Sequence, residues 1–198
     1  RQRTSGLIAI ELDEGNTLVA ASVTDGSSDV MLFSSGGRAI RFKEADVRPM
    51  GRTARGVRGI RLKAGETVIS LIIPGAEDNI LIASEHGYGK RSRVKEFSVI
   101  GRGGQGVISM KVSARNGAVV GAIQVAVGDE VILISDRGTL VRTRTDEVSI
   151  QGRNTQGVKL ISVQEGEKLV GLACVEDPEE PDEPGEAGAD ASGPDAAV

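Results

Sequence analysis

The chain has 198 residues, of which 39% are hydrophobic, with 27 glycines, three Phe, one Tyr and no Trp, so a core must come from Val, Ile and Leu, residues that favour strands. One Cys and one His exclude a disulfide framework and a zinc-ligand cluster and fit a reducing, cytoplasmic setting, and no apolar run approaches the ~20 residues of a membrane-spanning helix. The net charge of −4 hides an asymmetry, because residues 1–175 hold all 24 Lys and Arg against 19 acids, a net of +5, whereas residues 176–198 hold nine acids and no base.

The opening RQRTSG has neither an initiator Met nor a signal-peptide pattern and reads as the start of an excised fragment. RQRTSGLIAIEL then matches the end of a repeat unit, with Gly6 at the position of Gly56. The first full unit follows: an apolar strand over 30–33, a Ser/Gly turn, and a second strand over 39–43 that closes a hairpin. A Gly-rich loop leads to a third strand over 57–62, and the turn at Gly65 to a fourth over 68–73. The unit recurs from Asn79 (NILIASEHGYGKRSRVKEFSVIGRGGQGVISMKV) and from Glu130 (EVILISDRGTLVRTRTDEVSIQGRNTQGVKLISV). After Gly166, EKLVGLACV begins a further strand. Residues 176–198 carry four prolines and almost no large apolar residue, a composition that predicts a disordered acidic tail.

Self-similarity at a period of about fifty residues predicts a stacked all-β array. Four strands per unit is the pattern of a propeller-like disc. The expected division is a partial blade at 1–15, repeats at about 16–66, 67–117 and 118–167, a final strand at 168–175, and the tail.

The bases recur with the repeat. Period-2 geometry sets Arg41 and Lys43 on one face of the second strand, and Arg91 with Arg93 and Arg142 with Arg144 take the same two positions. Arg38 and Lys90 lie on the same strands. The Gly-rich loops MGRTARGV, IGRGGQGV and QGRNTQGV add Arg52, Arg102 and Arg153 at one position, and Arg55, Gln105 and Gln156 at another. Arg offers forked hydrogen bonds to phosphate, and glycine lets a backbone approach a ligand. A solvated face with edge-protecting charge would also place bases here. A positive stripe running from blade to blade, suited to a polyanion, accounts better for six bases out of six.

Enzymatic motifs fail. Gly101, Gly103 and Gly106 satisfy G-x-G-x-x-G, yet the strand-like VISMKV follows where a dinucleotide site needs a helix. One His supports no Ser-His-Asp set, and no paired carboxylates recur. His86 and Tyr88 fall in a predicted turn and Cys174 on an apolar strand. A protein-binding propeller scaffold shares this architecture without requiring matched bases.

The strings VMLFSSGGRAIRFKE, GVRGIRL, HGYGKRS, GVISMKV, GTLVRTR and GRNTQGVKLI closely resemble the C-terminal domain of DNA gyrase A, over essentially residues 1–175. The corresponding domain of DNA topoisomerase IV is a more distant likeness. The resemblance implies a β-pinwheel whose outer rim binds and bends double-stranded DNA. It implies partners in the rest of gyrase A and in gyrase B, in an A2B2 holoenzyme near the nucleoid. ATP and Mg2+ would then be used elsewhere in that assembly, with no cofactor, metal or catalytic residue expected in this segment, which would be monomeric alone. Two departures stand out. The family's domain has six blades, and its first-blade Gln-Arg-Arg-Gly-Gly-Lys-Gly box is absent, with GRGGQG as its nearest echo. Tyr88 does not match the context of the DNA-cleaving tyrosine. The acidic tail is expected either to compete with DNA for the basic rim or simply to solubilise.

Overall fold

A computed structural model describes residues 6–75 and 78–175; the expected tail at 176–198 lies outside them. Three hairpins dominate. β1 (Asp29–Ser34) and β2 (Arg38–Lys43) pair across a Ser-Gly-Gly turn, with Val30 opposite Phe42 and Leu32 opposite Ile40. β4 (Asn79–Ser84) and β5 (Tyr88–Arg93) repeat this register, as do β8 (Glu130–Ser135) and β9 (Leu140–Arg144). Each second strand ends in a single 3-10 turn: Glu44–Asp46, Val94–Glu96 and Thr145–Glu147. The remaining strands are β3 (Val68–Ile72), β6 (Val107–Ile108), β7 (Val119–Val125), β10 (Val158–Lys159) and β11 (Leu169–Val175).

The sheets do not coincide with the repeats. Their strand orders are β3-β1-β2-β6, β10-β5-β4-β7 and β11-β8-β9. The third strand of a unit therefore leaves its own hairpin and completes the blade before it. β6 pairs with β2 through Arg38↔Ile108 and Ala39↔Val107, and β10 pairs with β5 through Tyr88↔Lys159 and Gly89↔Val158. The strand expected at 57–62 is absent, since no hairpin of an earlier repeat stands beside it among the described residues. Residues 6–28 likewise form no strand.

This exchange explains two of the recurrent glycines. Gly106 and Gly157 have φ of +66° and +79°, and a Cβ would lie 2.2 Å from Ala39 O and 2.5 Å from Gly89 O respectively. They let the loop settle on the neighbouring strand.

Alternation on the hairpins builds the core between blades. Met31 and Phe33 from β1 meet Ile80 and Ile82 from β4, with Val94, Phe97 and Met110. Phe33 and Phe97 stack edge to face at 6.0 Å. Leu81, Val125, Val131 and Val148 continue the core toward the third hairpin. β3, β7 and β11 stand side by side at one edge of the array. The second hairpin strands and the Gly-rich loops consequently take the opposite, outer edge.

Candidate nucleic-acid interface

The two recurring basic positions on the second strands have different surroundings. At the last residue of the strand, Lys43, Arg93 and Arg144 are exposed. The side chains of Lys43 and Arg144 are 56% and 62% accessible. Lys43 sits 2.7 Å from Asp29, and Arg144 lies 3.8 Å from Asp146.

The position two residues earlier binds the next repeat. Arg41 donates to Val94 O (3.1 Å) and Phe97 O (3.2 Å) and pairs with Asp29 at 2.6 Å. Arg91, 6% exposed, donates through Nε to Val148 O at 2.7 Å and has Asp146 at 3.7 Å. The backbones join too: Arg41 bridges Val99 and Arg91 bridges Ile150 in parallel. Arg142 has no following unit beside it among the described residues; it stays exposed and pairs with Glu130. Arg41 and Arg91, expected on a polyanion-facing stripe, thus direct hydrogen bonds to the next repeat. Joining one blade to the next gives Arg41 and Arg91 a structural reason to be arginine.

Lys90 is also turned inward. It is fully buried, and its Nζ donates to Gly152 O and Arg153 O at 2.6 Å each. Arg38 is half-buried and donates to Gly106 O at 3.3 Å.

The loop residues divide similarly. Arg52 is exposed and lines a shallow depression with Gly6, Leu7, Ile8, Glu11 and Thr53. Arg55, exposed, pairs with Glu11 (3.1 Å) and Asp13 (3.0 Å) of the N-terminal segment. Arg102 reaches back to Asp46 O (2.9 Å) and Arg58 O (3.2 Å), and Arg153 to Ile108 O (3.2 Å). Gln105 is exposed and Gln156 half-buried, its carbonyl accepting from Asn116 Nδ2 at 3.3 Å. Gly106 leads into β6 rather than a helix, so the dinucleotide pattern has no structural counterpart. Tyr88, expected in a turn, is the first residue of β5, and the Arg115 guanidinium lies 4.8 Å from the centre of its half-buried ring.

Electrostatics follow these contacts. Burial works to raise the Asp29 pKa, yet hydrogen bonds and charge from Lys43 and Arg41 outweigh it and hold the carboxyl below its ordinary 3.8. Burial lowers Lys90 to about 8, against the attraction of Glu96 and with the repulsion of Arg153.

Sequence reading missed two exposed bases at equivalent places, Arg61 and Lys111. Their backbone N–H groups donate to Gly104 O and Thr155 O at 2.8 Å each, so both flank the next unit's Gly-rich loop. The repeat alignment already pairs them, but only the strand exchange brings them to those loops.

Residues 1–25, 28–74, 78–126 and 129–176 match the family described as the DNA gyrase C-terminal domain, beta-propeller. The chain belongs to that family. The last three matched segments begin just before β1, β4 and β8, so the gyrase-domain units follow the hairpins. The DNA gyrase A protein of Pseudomonas aeruginosa is 56% identical over 178 residues, covering 90% of this chain and 19% of that protein. Its Escherichia coli counterpart is 50% identical over 178 residues, covering 90% and 20%. The chain thus spans about one fifth of the length of these relatives. A solved DNA gyrase A C-terminal domain aligns at TM-score 0.78 and 32% identity, over 86% of this chain and 58% of that one. The C-terminal domain of DNA topoisomerase IV aligns at TM-score 0.83 and 24% identity, over 89% and 55%, a likeness of fold alone.

Proposed function

We propose that this gyrase-family domain binds double-stranded DNA along its outer edge and bends it, serving as a wrapping element for ATP-dependent supercoiling by a gyrase holoenzyme in the bacterial cytoplasm. The observation that carries this reading is the repetition of Lys43, Arg93 and Arg144. They recur at one position in consecutive blades and are exposed in each. Arg52, Arg61, Arg102 and Lys111 extend the basic surface toward the loops. Residues 1–175 carry a net +5, which favours a polyanion without reading its sequence. Bending a duplex by 40–90° over 20–30 base pairs costs on the order of 1–6 kcal/mol, so phosphate contacts from several blades must act together to offset it. With aromatic side chains making up 2% of the chain, stacking on single strands is a poorer match.

Titration with a duplex of ~40 base pairs across a salt series tests the proposal. Affinity should fall steeply with salt, by roughly 0.9 in log–log slope per neutralised phosphate. Undetectable or salt-insensitive binding would overturn it.

A further inference from the structure

The loop at 148–157 is held from both faces of β5. On one face Arg91 donates to Val148 O; on the other, Ser92 Oγ donates to Gln151 O at 2.8 Å and Lys90 Nζ to the next two carbonyls, Gly152 O and Arg153 O. The equivalents of Lys90 are Ile40 and Val141, and Ile40 is fully buried. An aliphatic side chain thus suffices to build this blade. A buried amine is expensive unless its hydrogen bonds are met, and here the acceptors belong to the loop that carries Arg153.

We infer that Lys90 is a positioning residue: from beneath, it turns the Gly152 and Arg153 carbonyls inward and so fixes how the Gly-rich loop is presented to the duplex. Two carbonyl oxygens drawn to Lys90 are two partial negative charges withdrawn from the surface a phosphate would approach. The inference deepens the DNA-binding reading and rests on it for its purpose, while its structural half can be tested without DNA. The charged groups around Lys90 are Glu96, from the 3-10 turn of its own repeat, and Arg153, from the loop above.

Hydrogen exchange on the 198-residue chain decides the matter. In Lys90→Met, amides at 151–157 should exchange about tenfold faster or more as the two carbonyls lose their donor. The equivalent loop at 101–106, which lies over Ile40, should not change. Duplex affinity should drop roughly 3- to 10-fold with an unaltered salt slope. Unchanged exchange at 151–157, or a slope reduced by ~0.9 as for a direct phosphate contact, would overturn the inference. Failure of the unsubstituted chain to bind duplex would sink the DNA reading and leave the exchange result standing.

A second measurement needs no variant. Opening the loop returns Lys90 to water, where its pKa is near the ordinary 10.5 rather than about 8. The closed loop then binds fewer protons between those values, so its protection, corrected for intrinsic exchange, should rise across that range. A flat profile at 151–157 would overturn the coupling.

Discussion

The two junctions between consecutive blades share one backbone register and differ in chemistry. Between the first and second units the contact is aromatic and apolar: Phe33 against Phe97, with Met31, Ile80 and Ile82 around them. Between the second and third, Ala83 replaces Phe33 and Val148 replaces Phe97. There Lys90 and Ser92 hold the loop by its carbonyls, beyond the arginine-to-carbonyl contact that both junctions share. The same strand exchange can be stabilised by burying rings or by satisfying buried acceptors. The first device responds to side-chain volume and the second to hydrogen bonding.

The sharpest way to break the comparison is truncation at the matched core position. Phe97→Ala should cost about 3–5 kcal/mol, whereas Val148→Ala should cost less, about 1–3 kcal/mol, both read by denaturant unfolding. Equal losses would mean the rings contribute no more than the aliphatic contact. Next, Arg91→Met should cost about 1–3 kcal/mol, because it orphans Val148 O beneath a buried side chain. The same change at the terminal Arg142 should stay within about 0.5 kcal/mol, as expected for an exposed pair.

The pH response should separate the junctions at opposite ends of the scale. Asp29 at the first is depressed when folded, so its contribution is complete above 3.8 and lost as pH falls through the lower folded value. Lys90 at the second is also depressed, but as a base. Unfolding then takes up a proton between about 8 and 10.5, so stability rises with pH through that interval. Thermal melts of Asp29→Asn and Lys90→Met should each flatten one end and leave the other. The smallest effect on stability belongs to the outer bases. Arg93→Ala with Arg144→Ala should leave stability within about 0.5 kcal/mol yet lower the duplex salt slope by roughly 1.8. An unchanged slope would remove these residues from the interface.

The hairpins were legible because apolar alternation and turn glycines are local signals, and Val30–Phe42 pairing follows from them. The bases at Lys43, Arg93 and Arg144 were legible by alignment alone. The inward contacts of Arg41 and Arg91 were not legible because recurrence does not reveal its cause, and Lys90, whose equivalents are Ile40 and Val141, gave no repeat signal at all. A residue repeats equally well for touching a ligand or for touching the next repeat, and period-2 alternation fixes a face without saying what covers it.

The sequence by itself determined an all-β array of about fifty-residue units with a mildly basic folded part, since composition, period and turn residues are properties of the chain. Tertiary structure decided which unit each third strand completes, and therefore which bases are spent on carbonyls of the neighbouring blade. That choice depends on contacts between residues some fifty positions apart, such as Arg91 with Val148, where the free energy of satisfying a buried acceptor outweighs any local preference.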